Sequence, residues 1–223
     1  MVIVDENQQQ INELYITLSR TISNERLGAY LVAAGFNHER ALNLYLWNAK
    51  MCGAFYLPLQ ATEVGLRNGV NAALSNVYGN EWWRNPNEFV RNADRSAQNA
   101  IRKVIRRIND KSLPLTTAQV VAGLSFGFWV NILDSYYNRE VWSRELHVQF
   151  PNMPDDATRE MLKSRAARTA DFRNRVSHHE PIHKSNVSGE YSELMKLLSW
   201  ICPHKKEWIR ANSTVPRIMR EKP

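Results

Sequence analysis

Cysteine is scarce in this sequence: Cys52 and Cys202 are the only two in 223 residues. Two cysteines cannot build the disulfide framework of a small secreted protein or a four-cysteine zinc site, so we expect two buried thiols in a reducing cytoplasm. Glycine and proline are also few, at nine residues each, and strictly alternating apolar–polar stretches are rare. These absences exclude a disulfide-rich or collagen-like chain and disfavour an all-β fold.

Long hydrophobic segments are missing as well. The most apolar run, residues 120–133, contains Ser125 and Asn131 and is shorter than the roughly 20 residues that a membrane-spanning helix needs. The first residues, MVIVDENQQQ, lack the basic segment and apolar stretch of a signal peptide. We therefore expect a cytoplasmic protein without a membrane partner. The chain also has no internal repeat and no glycine-rich phosphate-binding loop.

The composition that remains is typical of a helical globular protein with an excess of positive charge. Hydrophobic residues make up 43% of the chain, and the formal net charge is +7. Apolar residues recur mostly at intervals of three and four, which predicts an all-α protein. We predict an N-terminal helical extension (residues 1–36) packed on the main domain, a main helical domain (residues 37–212) and a basic tail (residues 213–223). The positive charge is compatible with a nucleic-acid partner.

Several helices of the main domain can be outlined from the periodicity. A long helix should start at Asn37 and extend to Gly79, with a kink or break at Pro58, because proline has no amide N–H to donate. A later helix should be capped by Asp155 or Asp156 and end near residue 179, before a proline. Other helices are predicted at residues 87–108, 118–137 and 189–201.

The segment DFRNRVSHHEPIH, residues 171–183, concentrates charged and proton-transferring side chains. Asn174 and His178 are four residues apart and share a helix face, whereas Arg173 and His178 are five apart and diverge by about 140°. Histidine can move the proton of a ribose 2′-hydroxyl, and arginine can stabilise charge that develops on a phosphate. Two copies of this helix around a two-fold axis would place two Arg–His sets at one cleft, which favours a homodimer.

A structural interpretation of the same segment stays open. Cations interact favourably with the C-terminus of a helix, and histidine side chains often cap its last carbonyl groups. His179 and His183 have the spacing of a helical metal-binding pair, but Pro181 interrupts the helix and no third ligand has suitable spacing. We therefore predict no metal site.

Three stretches, in this order along the chain, resemble the Abi-like (AbiD/AbiF-type abortive infection) family of the HEPN superfamily. LPLQATEVGLRNGVN, residues 57–71, resembles the first helical motif of the family, in which Arg-Asn follows four residues after a glutamate. VVAGLSFGFWVNIL, residues 120–133, resembles its Ser-Phe-Gly-Phe-Trp helix. RNRVSH, residues 173–178, is similar to the R-x4-6-H signature of the superfamily. The resemblance covers residues 20–210 approximately.

The resemblance implies a HEPN-like helical bundle and a metal-independent endoribonuclease without a cofactor, which acts in phage defence or in a toxin–antitoxin pair. Its partners would be RNA, with tRNA one candidate, and an antitoxin or another regulatory protein. Arg173 and His178 would be the catalytic pair, with Asn174 as their polar neighbour, and the upstream motif would fall on Glu63, Arg67 and Asn68.

Several residues keep two interpretations. Glu63 either bridges to Arg67 on its own helix or orients Arg173 or His178 from a neighbouring helix, and Gly65 is expected to permit close helix packing. Arg67, Asn68, Arg175 and His179 are candidate RNA contacts. The residues that form either a solvated helix face or a track along an RNA backbone are Arg91, Arg95, Arg102 and Arg106.

Aromatic side chains and the overall role are similarly open. Trp82 and Trp83 either stack on RNA bases or anchor their loop, whereas Trp129 is expected in the core. The alternative to an enzyme is a non-catalytic RNA- or nucleotide-binding module that signals to a partner. A third hypothesis is an interaction protein whose Arg–His cluster only caps a helix.

Overall fold

The computed structural model describes residues 6–84 and 87–223, and within these ranges the chain is 76% helical and has no β-strand. The predicted all-α class is therefore confirmed. Residues 1–5, at the start of the predicted N-terminal extension, and residues 85–86, just before the predicted helix at residue 87, lie outside the described ranges. Among the described residues, no helix is both long and apolar enough to cross a membrane.

The α-helices follow one another along the chain without intervening strands in the described ranges. They are α1 (Glu6–Ile22), α2 (Asn24–Ala33), α3 (His38–Tyr78), α4 (Glu88–Asn92), α5 (Arg95–Asp110), α6 (Thr117–Gly123), α7 (Phe126–Asn131), α8 (Arg159–Ser177), α9 (Val187–Ile201), α10 (Pro203–Asn212) and α11 (Val215–Arg220). Short 3₁₀ turns at Ser135–Tyr137 and Leu146–Gln149 and a π-helical turn at Asn138–Trp142 lie between α7 and α8.

Helix α3 begins one residue after Asn37, whose side-chain oxygen accepts a hydrogen bond from the amide of Arg40 at 2.9 Å. The helix then continues through Pro58 to Tyr78, so of the predicted kink or break the structure excludes the break. A proline removes a single backbone donor, and most of the stability of a helix comes from tertiary packing. One missing hydrogen bond in a 41-residue helix is therefore tolerated.

Two predicted helices are each divided in the structure. Residues 87–108 form α4 and α5, because Asp94 leaves the helical conformation and accepts a hydrogen bond from the amide of Ala97 at 3.0 Å. Residues 118–137 are divided by Ser125, which accepts a hydrogen bond from the amide of Phe128 at 3.3 Å and starts α7. Both residue types are strong N-caps, so each begins a new helix although the apolar periodicity continues.

The start of α8 is also a correction. Neither Asp155 nor Asp156 caps this helix; Thr158 does, through a hydrogen bond from the amide of Met161 to its hydroxyl oxygen at 3.2 Å. Helix α8 ends at Ser177, two residues before the predicted end. Helix α9 begins two residues before the predicted start at residue 189 and ends at Ile201 as predicted.

The described residues divide into two compact units. The first unit contains residues 6–56, 174–191 and 213–223, and the second contains residues 57–173 and 192–212. The domain boundaries predicted from the sequence stay a prediction. In the first unit, the indole N–H of Trp47 donates to the carbonyl of Ile218 at 2.7 Å, which ties α3 to α11.

An aromatic cluster forms the centre of the second unit. The ring of Trp82 meets the rings of Phe89 and Trp129 edge to face, with centroid distances of 5.4 and 6.1 Å. Trp129 is fully buried, which confirms its predicted place in the core. Trp82 and Trp83 are buried too, and their indole N–H groups donate to Asn71 and Thr117, both at 3.0 Å. They anchor their loop, so stacking of either ring on RNA bases is not compatible with the structure.

Candidate functional site

The best-defined charged contact among the predicted site residues joins α3 to α8. The guanidinium Nε of Arg173 donates to the carboxylate Oε2 of Glu63 at 3.2 Å. The Glu63 side chain is 22% exposed and that of Arg173 is 39% exposed, so the pair is accessible at one edge. Glu63 therefore points from a neighbouring helix at Arg173, one of the two arrangements that the sequence left open.

Close packing of the second unit supports this part of α3. A Cβ atom built on Gly65 would lie 2.9 Å from Cγ2 of Ile201, so only glycine fits without movement of that side chain. Gly65 therefore permits the predicted close packing of helices.

Arg67 donates to the side-chain oxygen of Asn68 at 3.4 Å. Burial lowers the pKa of the nearby Lys205 amino group, and the positive charge of Arg67 lowers it further.

The two histidines of the predicted site, His178 and His179, directly follow α8. The amide of His179 donates to the carbonyl of Val176 at 3.2 Å, and the amide of Glu180 donates back to the carbonyl of Arg175 at 3.0 Å. His179 adopts a positive φ of 56°. This hydrogen-bond pattern with a left-handed residue is the common way to end a helix, although glycine usually occupies the left-handed position. His178 is the residue just before it and is exposed.

Two other members of the predicted site lie in the same turn. The carbonyl of Asn174 accepts the amide of His178 at 2.9 Å, and its side chain is exposed. The guanidinium of Arg175 contacts the carboxylate of Glu180 at 3.2 Å and the carbonyl of Pro181 at 3.4 Å. Arg175 therefore holds the chain that leaves α8, in addition to any contact with RNA.

Asn48 is a structural residue of this region that was not among the predicted site residues. Its side-chain oxygen accepts the amides of Ile182 and His183, at 2.8 and 3.2 Å, and its nitrogen donates to the carbonyl of Glu180 at 3.4 Å. These bonds fasten the segment after α8 to α3. An asparagine on the buried face of a predicted helix is the signal that could have identified it, because a buried amide needs polar partners.

The cysteines are less buried than expected. Cys52 and Cys202 are both half-buried, so the prediction of two buried thiols is wrong. The sulfur of Cys202 accepts the amide of Lys205 at 3.4 Å, at the start of α10. Burial raises the pKa of the Cys52 thiol, which disfavours the reactive thiolate.

The predicted arginine stripe is exposed but is not continuous. Arg91 lies on α4, whereas Arg95, Arg102 and Arg106 lie on α5, beyond the break at Asp94. Arg102 contacts the side-chain oxygens of Gln98 and Asn99 at 3.2 and 3.5 Å. The α5 arginines thus form an exposed basic face, and Arg91 belongs to a separate helix.

No family model, curated protein or solved structure matches this chain. Within residues 6–84 and 87–223, no cluster of three or more histidine, cysteine or acidic side chains is arranged to hold a metal ion. The function has to be inferred from local geometry within each unit. The main observations are the Glu63–Arg173 pair and the end of α8.

Proposed function

We propose that the chain is a metal-independent endoribonuclease of the Abi-like HEPN type. The Glu63–Arg173 ion pair is the observation that carries this proposal. It supports a role for two motifs that are 110 residues apart in sequence, because each supplies one member of the pair. A carboxylate fixes the orientation of an arginine through charge-assisted hydrogen bonds, and an oriented arginine is well suited to bind a phosphate.

In the proposed reaction, the 2′-oxygen of a ribose attacks the adjacent phosphorus. The bond from phosphorus to the 5′-oxygen of the next nucleotide breaks, which leaves a 2′,3′-cyclic phosphate. His178 removes the proton from the 2′-hydroxyl, and a protonated His178 supplies one to the leaving 5′-oxygen. Arg173 stabilises the charge on the phosphorane, Asn174 holds the phosphate or the imidazole, and Glu63 positions Arg173.

A homodimer would provide both histidine roles. One imidazole cannot be base and acid in the same step, whereas two copies of His178 can divide these tasks. We propose that the dimer acts on cytoplasmic RNA in phage defence or as a toxin, with an antitoxin or another protein to restrain it. The exposed arginines of α5 would neutralise RNA phosphates without sequence preference.

Cleavage of labelled tRNA and mixed cellular RNA in EDTA tests the proposal. We expect the parent protein to cleave, and His178→Ala to lose about 10²–10⁴-fold in rate, the usual contribution of a general acid or base. His204→Ala is the matched control, because His204 is another exposed histidine, on α10. Full activity of His178→Ala, or loss of activity in both variants alike, would refute the assignment.

The exposed α5 arginines favour a second candidate, a non-catalytic module that binds RNA or a nucleotide and signals to a partner. In that case neither the parent protein nor His178→Ala cleaves RNA. Binding would then survive His178→Ala, weaken with added salt, and fall when Arg102 and Arg106 are replaced together.

A further inference from the structure

A cavity in the first unit opens beside the end of α8. Its volume is about 730 Å³, which falls within the range of about 300–1,000 Å³ that small-molecule sites usually have. Residues of α2, of α3 and of the α8 end line it. The lining combines aromatic rings with a few polar groups, the composition of a site that holds a planar ligand by stacking and orients it by hydrogen bonds.

The long wall of the cavity is one face of α3. Tyr45, Ala49, Gly53 and Tyr56 follow at intervals of four, four and three, so they lie in a row along the helix. The two small residues in the middle give the wall its depth, and the two tyrosines stand at its ends. A Cβ atom on Gly53 would meet no other atom within 4 Å, so the space in front of this residue is open.

Helix α2 supplies a second wall with one buried ring and one exposed cation. The ring of Tyr30 meets that of Tyr45 edge to face, with a centroid distance of 5.3 Å. Burial raises the pKa of Tyr30 to about 12, with smaller contributions from Cys52 and Tyr45, so its hydroxyl stays protonated at neutral pH. Arg26 lies one turn before Tyr30 on the same face and is exposed at the rim.

The third wall is the end of α8. Ser177 and His179 line the cavity, and they are the residues immediately before and after His178. The backbone amides of Ile182 and His183, in the segment after α8, donate to the side-chain oxygen of Asn48 and hold this wall in place. The cavity and the proposed proton-transferring histidine therefore share one turn of the chain.

We infer that this cavity binds a nucleobase that carries a phosphate, and that the base belongs to the RNA strand at the cleavage site. The inference rests on the proposed function. Unpaired RNA bases are commonly held by stacking on aromatic side chains and by hydrogen bonds to their edges. The base would stack against Tyr45 or Tyr56, and Arg26 would pair with a flanking phosphate.

A variant that fills the cavity tests this inference without disturbing the core. Gly53→Phe places a ring in the open space, and phenylalanine is a better helix former than glycine. Gly28→Phe is the matched control, because a Cβ atom at Gly28 also meets nothing within 4 Å and this glycine does not line the cavity. Thermal melting establishes that both variants are folded.

The readout is binding of single-stranded oligonucleotides with 2′-O-methyl riboses, which cannot be cleaved. We expect Gly53→Phe to weaken binding about tenfold or more, the effect of losing a stacked base, and Gly28→Phe to bind as the parent does. Equal affinity in all three proteins would overturn the inference. Tyr56→Ala, with Phe36→Ala as its control on another exposed aromatic residue, repeats the test at the surface.

Free nucleoside monophosphates form the second arm, because a base with a phosphate also occurs outside RNA. If Gly53→Phe abolishes their binding but leaves oligonucleotide affinity unchanged, the cavity is a nucleotide site and the assignment to the RNA strand is wrong. The same measurements on His178→Ala separate the two proposals. If His178→Ala still binds the oligonucleotide and Gly53→Phe does not, the base site is supported. This holds even if the parent protein does not cleave RNA.

Discussion

The imidazole of His183 is a buried polar group without polar partners. It is 5% exposed, its ring lies 4.6 Å from that of Tyr30, and neither ring nitrogen has a hydrogen-bond partner among the described residues. Burial lowers the pKa of His183, and the positive charges of Lys184 and Lys222 lower it further. The folded protein therefore keeps this side chain neutral under conditions in which the unfolded chain would protonate it.

This difference predicts a loss of stability in mild acid. Below the usual histidine pKa of about 6.5 the unfolded chain binds one more proton at this position than the folded protein, so the unfolding free energy falls as pH falls, by at most about 1.4 kcal/mol per pH unit. The fall ends below the lowered pKa of the folded state. His183→Phe should remove this component and also gain about 1–3 kcal/mol, because no unsatisfied polar group remains. Urea denaturation at pH 5 and pH 8 measures both effects, and an unchanged pH dependence would contradict the prediction.

Glu63 is expected to matter for catalysis more than for stability. Glu63→Gln keeps the size of the side chain and weakens its hold on Arg173, so we expect the turnover rate to fall by about 10–100-fold with little change in KM. The unfolding free energy should change by less than about 1 kcal/mol, as for other partly exposed ion pairs. Glu193→Gln is the control, since Glu193 pairs with Arg165 on α8 in the same unit. Equal turnover in the two variants would show that Glu63 has no positioning role.

The two residues differ in how far the sequence could predict them. Glu63 lies in a stretch that resembles a family motif, and the sequence left two possible partner sites for its carboxylate, Arg67 on its own helix or Arg173 and His178 on another. His183 has an ordinary local sequence, and its burial follows from the packing of α2 and from the hydrogen bonds to Asn48, which only the folded chain contains.

At the scale of elements, the end of α8 carries a backbone conformation that is unfavourable for its residue type. The φ of 56° at His179 suits glycine, and a side chain there costs roughly 1–2 kcal/mol. His179→Gly should therefore raise the unfolding free energy by up to about 1 kcal/mol, whereas His179→Ala, which keeps a Cβ atom, should give no such gain. Chemical denaturation of the two variants tests this, and a gain of equal size in both would show that the conformation is not the cause.

The contact between α3 and α9 can be tested by a matched pair of glycines. Gly65→Ala brings a Cβ atom to within 2.9 Å of Ile201, whose branched side chain has few alternative rotamers. We expect a loss of about 1–3 kcal/mol in unfolding free energy from overpacking, reduced by the better helix propensity of alanine. Gly28→Ala meets no neighbour and should gain up to about 1 kcal/mol. Similar changes in the two melting temperatures would rule out a packing role for Gly65.

Periodicity predicted the helical elements but not their divisions. The apolar pattern continues past Asp94 and Ser125, so it contains no sign that the helix stops there. Each residue becomes an N-cap because its side chain bonds an amide of the next turn. Pro58 shows the opposite error, since a strong local signal for a break was outweighed by the packing of a long helix.

At the scale of the whole molecule, composition and periodicity were enough to predict the helical class, because few glycines, few prolines and a 3.6-residue pattern leave little room for strands. They could not predict the cavity beside α8. That cavity forms where α2, α3 and the end of α8 surround two small residues of α3, Ala49 and Gly53.

The five-residue separation of Arg173 and His178 bears on the oligomeric state of the protein. On an ideal helix, residues five apart diverge by about 140°, so we propose that a second copy of this segment completes the site. A dimer in solution is therefore part of the proposal.

The chemistry of the cleaved ends shows whether a ribose 2′-oxygen attacks the phosphate. The substrate is an RNA with one efficient cleavage position, compared with the same RNA carrying a single 2′-deoxyribose there, and both reactions contain EDTA. We expect the parent protein to cleave the all-ribose RNA to a 2′,3′-cyclic phosphate and to leave the deoxy position intact, whereas His178→Ala should cleave neither RNA at this position. Cleavage at the deoxy position, or products with a 3′-hydroxyl and a 5′-phosphate, would contradict this expectation.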